Sequence, residues 1–437
     1  MTATTDPLLT DADLDLLLQL LATPTVGLLE TSPHDPAPDL WAAQRAYARA
    51  AADIGFRVLH HASPPPEVVA RDDVPVTVRR AAEDPEFLAA QPSLVLRLGP
   101  ELPRERTVMF NVHLDTVSGA EPVDLRGDRV TGRGAIDAKG PAVALLAGIR
   151  AAAAGNPALG RDVGVLVQAV SGEEGGAMGT FGTRPLVEAG HVGRLNVFCE
   201  PTGLRQLPRS TASMTARLRV RGQGAIDDRP DAGHNATVLL GFLAQHVAAE
   251  LDPRGRPGRL CVAGLHTGDQ HNRVYGTGQL LLNLSYADSA ERAAAEAALV
   301  EAVRGGADRF AELFGPTREF ARTAADAAAV TELDWLKRGL PSLRNHDPWA
   351  ERLLERAGAA RWPAEEPAFT CDAIWMDQVA DAFTAVLGPG SLDGNNAHAA
   401  GEFADLDELR RFAGTVSAVL TEFAADATAA REKGDSR

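Results

Sequence analysis

The stretch from Thr107 to Gly140 combines residue types that bind metal ions in proteins. It begins as an apolar run that predicts a buried strand, and His113 and Asp115 follow at the end of that strand. Further along, GRGAIDAKG places Asp137 at the start of an alanine-rich helix. A histidine with two carboxylates in such positions is typical of divalent-metal chemistry. The stretch therefore predicts part of a metal site.

Glutamates at two more predicted strand ends, and a histidine near the C-terminus, add further ligand types. Glu173 and Glu174 stand in SGEEGG after a buried strand, and Glu200 follows a short strand. His398 lies in GPGSLDGNNAHAAGE. Open α/β sheets place their functional sites at the carboxyl ends of the strands. We therefore expect these glutamates to meet His113 and its neighbours at one edge of a sheet.

The elements that must position these residues alternate between strand and helix. Predicted strands cover Phe56–His60, Ser93–Leu98, Thr107–Val112, Asp162–Val170 and Asn196–Phe198. Predicted helices cover Asp11–Leu21, Leu40–Ile54, the segment after Asp137 to Gly155, and a last helix from Leu406. Between Pro341 and this last helix, helix–strand units return through Phe369–Trp375 and Phe383–Leu387. The alternation predicts an α/β domain with a mixed, mostly parallel sheet flanked by helices.

The middle of the chain follows a different order, β-α-β-β-α-β. Its predicted elements are Thr211–Val220, Asn235–Leu251, Leu260–Ala263, Gln279–Ala287, Ala290–Phe314 and Thr331–Leu336. This order is the ferredoxin-like pattern. We expect residues 209–338 to form an inserted α+β domain, and residues 1–208 and 339–437 to form the α/β domain.

Composition restricts the functions that need consideration. A length of 437 residues exceeds one typical core, so two domains are expected. The net charge of -16 argues against nucleic acid or an anionic membrane as partner. Three widely spaced cysteines fit a reducing compartment, and the N-terminus has no basic region followed by an apolar core. We expect a cytoplasmic enzyme without a membrane-spanning segment.

The ordered motifs resemble a family of co-catalytic zinc metallohydrolases. The matching stretches are NVHLDTV, GRGAIDAKG, SGEEGG, CEPTG and GPGSLDGNNAHAAGE, in this order over nearly the whole chain. The family includes aminoacylase, acetylornithine deacetylase, succinyl-diaminopimelate desuccinylase and glutamate carboxypeptidase. The resemblance implies a zinc-peptidase-like catalytic domain and an inserted lid that also forms a homodimer. The implied activity is amide hydrolysis, of deacylase or carboxypeptidase type, on a small molecule.

The resemblance also implies a two-metal centre. Asp137 would bridge two zinc ions, with Co²⁺ or Mn²⁺ able to replace zinc. His113 and Glu200 would complete one site, and Glu174 and His398 would complete the other.

Two more residues receive implied catalytic roles. Asp115 would hold His113 by a hydrogen bond, and Glu173 would act as general base on the bridging water.

Taken singly, these residues have simpler interpretations. Glu173 with Glu174 is typical of a solvated acidic turn, and an isolated histidine such as His398 is more often non-functional. Only the ordered set favours the metal centre.

The inserted domain departs from the family pattern at two positions. In GQGAIDDRPDAGHNA, the histidine that reaches the scissile carbonyl in the family is replaced by Ile226, which cannot donate a hydrogen bond. Asn272 fits the asparagine near the substrate, but the arginine that binds a substrate carboxylate is replaced by Ser285. His234 is a nearby candidate for substrate binding.

These departures leave two functional hypotheses. In the first, which we favour, the protein hydrolyses an amide that lacks the usual free carboxylate. In the second, the same metal centre activates a carbonyl for another step, such as amide formation in small-molecule biosynthesis. A non-catalytic binding protein is disfavoured because Glu173 is retained.

Overall fold

The computed structural model describes residues 8–252 and 258–435. Residues 1–7, which contribute to the prediction that no signal peptide is present, lie outside this part. The chain divides into an α/β unit, Met1–Ser210 with Leu343–Arg437, and an inserted unit, Thr211–Ser342. The boundaries predicted from the sequence, 208/209 and 338/339, lie close to these.

Among the described residues, ten strands make up the two larger sheets. In chain order they are β1 (Arg57–Ala62), β2 (Ser93–Leu98), β3 (Thr107–His113), β4 (Gly164–Val170), β5 (Leu195–Phe198), β6 (Ala212–Arg221), β7 (Leu260–His266), β8 (Thr277–Tyr286), β9 (Thr331–Lys337) and β10 (Phe383–Val386). Strands of two or three residues form smaller ladders: Asp124–Arg126, Arg129–Thr131, Arg205–Gln206, Arg209–Ser210, Ala225–Ile226, Arg273–Val274, Leu343–Arg344, Ala360–Arg361 and Phe403–Asp405.

The sheet of the α/β unit has six strands in the order β1-β2-β4-β3-β5-β10. The pairs β4-β3, β3-β5 and β5-β10 are parallel. The pairs β1-β2 and β2-β4 are antiparallel. The prediction of a mixed, mostly parallel sheet is therefore confirmed.

Helices cover both faces of this sheet and also pack in the inserted unit. In chain order they are α1 (Asp11–Ala22), α2 (Leu40–Asp53), α3 (Val76–Ala81), α4 (Pro85–Ala89), α5 (Lys139–Gly155), α6 (Thr183–Glu188), α7 (Ala236–Leu251), α8 (Ser289–Phe314), α9 (Ala321–Val330), α10 (Pro348–Arg356) and α11 (Leu406–Asp435).

Strand β3 is buried along its whole length because the sheet is covered on both sides. Val108 and Phe110 join the larger core with α1, α2, α5 and α11, whereas Met109 joins a second core on the other face. Such double burial explains the continuous apolar run in the sequence. It also makes β3 a rigid support for His113, its last residue.

Helix α5 packs closely against α11. A Cβ atom at Gly148 would lie 2.4 Å from the carbonyl oxygen of Ala413, so only glycine permits this approach. The contact fixes the start of α5 at Lys139, directly after the loop that carries Asp137.

The inserted unit contains a four-stranded antiparallel sheet in the order β7-β8-β6-β9. Along β6 and β8, buried residues alternate with partly exposed ones. This period of two is typical of a sheet with one covered face. Helices α7 and α8 follow β6 and β8, which gives the predicted β-α-β-β-α-β order, with α9 as an addition before β9.

Some elements differ from the prediction. Helices α3 and α4 were not among the helices predicted from the sequence, and prolines lie at Pro75 and Pro85, where they begin. The segment Phe369–Trp375 contributes no strand, and Asp372–Met376 forms a 3-10 helix instead. Within residues 8–252 and 258–435, no helix combines the length and the apolar character needed to cross a lipid bilayer.

Candidate metal centre

The α/β unit brings the seven predicted ligand and base residues to one end of its sheet. His113 ends β3, and Asp115 follows two residues later. Glu173 and Glu174 follow β4, and Glu200 follows β5. These strands are parallel neighbours, so their carboxyl ends meet at the same edge.

The remaining two residues reach this edge from loops. Asp137 precedes α5, and His398 lies in the loop between β10 and α11. His398 has a left-handed backbone conformation with φ of 62°. Such a conformation is uncommon for a residue with a Cβ atom and occurs often at functional sites.

The two carboxylate oxygens of Asp137 face two different histidines. Its Oδ1 lies 2.9 Å from Nε2 of His113, and its Oδ2 lies 3.0 Å from Nε2 of His398. Nε2 of His113 also lies 3.7 Å from Oε1 of Glu200. Nε2 of His398 also lies 3.0 Å from Oε1 of Glu174. The arrangement is two ligand groups that share Asp137.

Three groups of donor atoms are compact enough to hold a metal ion, with all atoms of a group within 4.8 Å of one another. They are His113–Asp137–Glu200, Asp137–Glu174–His398 and His113–Glu173–Glu174. Imidazole nitrogen with carboxylate oxygen is a donor set that suits zinc and other divalent transition metals. The residues therefore fit a pair of divalent cations with Asp137 between them.

Asp115 contacts the ring of His113 through its backbone carbonyl and not through its carboxylate. Nδ1 of His113 lies 2.9 Å from the backbone carbonyl oxygen of Asp115, whereas the carboxylate Oδ1 is 3.8 Å away. A carbonyl can only accept, so Nδ1 carries a proton, and Nε2 is the nitrogen that is oriented to bind a metal ion. The carboxylate of Asp115 instead accepts a hydrogen bond from the backbone N–H of Glu174, at 3.0 Å. Asp115 thus ties the ends of β3 and β4 together.

Burial disfavours the charged form of three neighbouring glutamates. It raises the pKa of Glu174 to about 7 and the pKa of Glu200 to about 8. Burial, followed by the charge of Glu174, raises the pKa of Glu173 well above its usual value. Carboxylates so close together are stable in the ionised form only when a cation compensates their charge. The site therefore favours a bound cation.

The pKa of Asp137 is lowered, whereas the pKa values of His113 and His398 are raised. Burial alone would raise the pKa of Asp137, but hydrogen bonds with His113 and His398 lower it. Hydrogen bonds with Asp137 and Glu174 raise the pKa of His398 to about 10. Burial alone would lower the pKa of His113, but the charges of Glu200 and Asp137 raise it well above its usual value. Both rings therefore lie in a negative potential that a metal cation would also experience.

The loop that carries Glu173 and Glu174 needs glycine at two close contacts. A Cβ atom at Gly172 would lie 2.2 Å from the ring of Phe181, and one at Gly179 would lie 2.4 Å from the carboxyl group of Asp372. Both glycines have positive φ values. The loop is therefore folded tightly against its surroundings, which fixes the two glutamates.

Glu402 supports the bridging ligand, a role that the sequence did not reveal. Its Oε1 accepts the backbone N–H groups of Ile136 and Asp137, at 3.1 and 3.2 Å. Its Oε2 accepts the N–H of Gly134 at 3.1 Å and a guanidinium N–H of Arg133 at 2.8 Å. One buried carboxylate thus holds the whole loop that presents Asp137. The only sequence signal was the position of Glu402 in the motif HAAGE, four residues after His398.

Asp372 is a second residue that the sequence did not reveal. It is buried, and its Oδ2 accepts the hydroxyl of Thr183 at 2.6 Å, while no described residue donates a hydrogen bond to its Oδ1. Thr183 in turn accepts an N–H from Asn111 of β3, at 3.2 Å. Burial raises the pKa of Asp372 to about 7. This chain of hydrogen bonds connects β3, which ends at His113, with the start of α6 and with the 3-10 helix Asp372–Met376.

We expect Asp372→Asn to stabilise the metal-free protein increasingly as the pH rises from about 5 to about 8. Asparagine keeps an acceptor for Thr183 but never ionises. Because the folded-state pKa is raised from 3.8 to about 7, the wild-type carboxyl contributes stability at low pH and loses it as the pH rises through about 7. Melting temperatures across this range measure the difference. The exposed Asp15→Asn serves as control, and a difference that does not change with pH would contradict the burial argument.

The four predicted substrate-binding residues lie in the inserted unit. Ile226 is 59% exposed and pairs with Arg273 in a two-residue ladder, and Asn272 is also exposed. Oγ of Ser285 accepts the backbone N–H of Arg259, at 2.9 Å. Ser285 therefore takes part in the structure of its own unit.

His234 is buried within the inserted unit and uses both ring nitrogens there. Its Nδ1 accepts the backbone N–H of Gln223 at 2.9 Å, and its Nε2 lies 3.1 Å from Oδ2 of Asp326. These contacts explain the position of His234 in the loop that contains Ile226. Its role in substrate binding stays a prediction.

The chain resembles known proteins both at the level of a family and at the level of single relatives. A family model described as peptidase family M20/M25/M40 matches residues 109–422. A curated protein of Aeropyrum pernix, provisionally named LysW-lysine/LysW-ornithine hydrolase, is 29% identical over 194 residues. This match covers 44% of the chain and 50% of the relative, so the chain spans about half the length of that relative.

Solved structures resemble the chain over almost its whole length. Aminopeptidase PepT from Bacillus cereus has a TM-score of 0.64 and 16% identity, covering 95% of this chain and 100% of that chain. Metallo-carboxypeptidase Sso-CP2 from Sulfolobus solfataricus has a TM-score of 0.67 and 12% identity, with the same coverage of 95% and 100%. At these identities the likeness shows a shared fold.

Proposed function

Because the chain belongs to peptidase family M20/M25/M40, a family of hydrolytic enzymes, we propose that it is a metal-dependent enzyme that hydrolyses an amide bond in a small molecule. The bond is of N-acyl or peptide type. The observation that carries this proposal is the position of Asp137, whose two oxygens lie 2.9 and 3.0 Å from the ring nitrogens of His113 and His398. A shared carboxylate between two ligand groups suits two adjacent cations.

We propose that Zn²⁺ occupies both positions, with Co²⁺ or Mn²⁺ as possible substitutes. Two divalent cations, when bound, lower the pKa of a water molecule and polarise the substrate carbonyl. Histidine and carboxylate ligands without cysteine are common to all three metals. The ligand set therefore supports the class of metal, and the choice of zinc follows the resemblance.

Glu173 is the general base in this proposal. Its carboxylate belongs to a group of donor atoms within 4.8 Å that includes His113 and Glu174. It takes a proton from the attacking water and passes it to the amine that leaves. A carboxylate that is not a metal ligand can hold the proton between these two steps.

Substrate recognition differs from the family pattern in this proposal. Without a histidine at Ile226 or an arginine at Ser285, the chain lacks two groups that would bind the carbonyl and a free carboxylate. We therefore propose a deacylase-type enzyme whose substrate lacks that free carboxylate. A carboxypeptidase-like activity acts on a free carboxyl terminus, so it would need another group of the chain to bind that carboxylate. The exposed, apolar Ile226 also favours a second candidate, a carbonyl-activating step such as amide formation on the same metal scaffold.

Amine release tests hydrolysis directly. The purified protein with zinc is offered N-acyl amino acids, the corresponding amides and small peptides, and free amine is measured. Hydrolysis predicts release from at least one class, with a preference for substrates without a free carboxylate. No release from any of them, with two metal ions bound per chain, would contradict hydrolysis and favour the second candidate.

The substitution Ile226→His tests whether the inserted unit lacks only a hydrogen-bond donor. The resemblance places this position near the scissile carbonyl, where one donor typically changes kcat by about 10²–10³-fold. We expect faster hydrolysis of N-acyl amino acids, measured as kcat, with Ile226→Phe as a control that adds a ring without a donor. Equal rates for both variants would mean that the difference from the family is broader than one donor.

We also propose a cytoplasmic homodimer that forms through the inserted unit. Among the residues that the structure describes, β7 pairs with β8 alone and is an edge strand, and its Val262 and Leu265 are 41% and 40% exposed. An edge strand with exposed apolar side chains is suited to pairing with a second chain. Sedimentation of the protein with charged substitutions at these two positions would test this assembly.

A further inference from the structure

Two arginines of the α/β unit face each other without an acidic partner. In the two-stranded ladder of Arg209–Ser210 and Leu343–Arg344, Arg209 lies directly opposite Arg344. Like charges in directly opposite positions destabilise a β ladder. Among the described residues, no carboxylate oxygen lies within the 4.0 Å ion-pair distance of either guanidinium group. Carbonyl oxygens that accept hydrogen bonds from Arg209 offset part of this cost, but no described carboxylate offsets the rest.

A cavity of about 350 Å³ lies beside this ladder. Three arginines, Arg209, Arg344 and Arg361, line it together with a single acidic residue, Glu351. Glu351 is already occupied, because its Oε2 lies 3.0 Å from Nη1 of Arg361 and its Oε1 contacts the ring of His346. The excess positive charge therefore belongs to Arg209 and Arg344. Such a local excess is unexpected in a chain with a net charge of -16.

The cavity wall is ordered by hydrogen bonds. The guanidinium group of Arg209 donates to the carbonyl oxygens of Pro363, Ala364 and Glu366, at 3.0, 3.3 and 2.6 Å. Asn345, next to Arg344, donates to the carbonyl oxygens of Pro208 and Thr384, both at 2.9 Å. These contacts hold both strands of the ladder in place. The charge of Arg209 is thus held on an ordered wall, so this side chain loses little conformational entropy on binding.

We propose that this cavity binds a small oxyanion, a phosphate or carboxylate group, that pairs mainly with Arg344 and Arg209. Guanidinium groups bind both anions through paired hydrogen bonds. A volume of about 350 Å³ is far larger than one water molecule, which occupies roughly 30 Å³, so a small organic anion also fits. The bound anion offsets the repulsion between the two arginines. It is a binding site separate from the candidate metal centre.

The position of the cavity gives the anion a structural effect. The ladder consists of the last residues before the inserted unit and the first residues after it. An anion that neutralises Arg209 and Arg344 stabilises the pairing of these two connecting segments. Anion binding is therefore expected to raise the melting temperature of the protein in a saturable way.

The test compares Arg344→Gln with Arg80→Gln, an exposed arginine of α3 that does not line the cavity. Melting temperatures and calorimetric titrations are measured for the metal-loaded proteins with inorganic phosphate, succinate or chloride at constant ionic strength. At least one of the two anions, phosphate or succinate, should stabilise the wild type and Arg80→Gln in a saturable way. In Arg344→Gln its dissociation constant should increase at least tenfold. Any binding to the metal ions is common to all three proteins and cancels in the comparison.

The protein without anion provides a second readout. Arg344→Gln should melt at the same temperature as the wild type or above it, because the substitution removes the repulsion with Arg209. Saturation by phosphate alone or by succinate alone supports the site and identifies the anion class. Equal affinities in Arg344→Gln and Arg80→Gln, or no difference between these anions and chloride in the wild type, would overturn the proposal.

Discussion

Replacing Glu173 with glutamine should lower kcat by about 10²–10⁴-fold, the range that a positioned general base contributes. Glutamine has nearly the same shape but cannot accept the proton of the attacking water. Because Asp137, with its histidine partners, and Glu200 remain in place, two metal ions should still bind. The KM should change little, since Glu173 acts on the water and not on the bound substrate.

Metal content distinguishes a role of Glu173 as general base from a role as metal ligand. Glu173 lies in a compact donor group with His113 and Glu174, so a direct metal contact is the competing assignment. Loss of one metal ion in Glu173→Gln, measured by elemental analysis, would favour the competing assignment. Glu67→Gln, at an exposed position, is the matched control. If Glu173→Gln kept wild-type kcat, the proposed mechanism would be wrong.

Several parts of the fold could be read from the sequence because their signals are local. Strands β3 and β4 are buried on both faces, and such strands appear as uninterrupted apolar runs. Polar residues at or shortly after their carboxyl ends, such as His113 and Glu174, then had to lie at one edge of the sheet. Parallel pairing brings those ends together, so the composition of the site followed from the order of the elements.

The supporting residues could not be read in this way because their partners are distant in sequence. Glu402 binds backbone N–H groups of Gly134 and Asp137, which lie more than 260 residues earlier. Asp372 contacts Thr183, 189 residues earlier, and its own segment forms a 3-10 helix where no regular period is visible. A carboxylate in a loop has the same appearance in a sequence whether it is solvated or buried. Only the packing of the loops distinguishes the two.

The contact between Asp115 and His113 shows a second limit of prediction from the sequence, which concerns the atoms that make a contact and not the residues. The resemblance implied a hydrogen bond between the two residues, and in the structure the backbone carbonyl of Asp115 accepts from Nδ1, while its carboxylate accepts the N–H of Glu174. Residue identity does not determine which polar atom of a residue makes a contact. The direction of the backbone after β3 determines it here.

Replacing Asp137 with asparagine should remove both metal ions at once, a larger effect than any other single substitution at the site. Its two oxygens lie at 2.9 and 3.0 Å from the two histidines, so both ligand groups depend on it. The amide nitrogen of asparagine cannot act as a ligand, and the charge that offsets two cations is lost. Activity should fall to background, and elemental analysis should find close to no metal per chain.

Substitutions on either side of Asp137 test whether it is truly shared. Glu200→Gln should weaken only the metal position that contains His113, and His398→Ala only the position that contains Glu174. Each of these variants should keep one metal ion, and added zinc should still raise its melting temperature. In Asp137→Asn, added zinc should leave the melting temperature unchanged. If Asp137→Asn instead kept one metal ion with wild-type affinity, then the two groups would be independent, and a mechanism that requires two adjacent cations would no longer follow from this geometry.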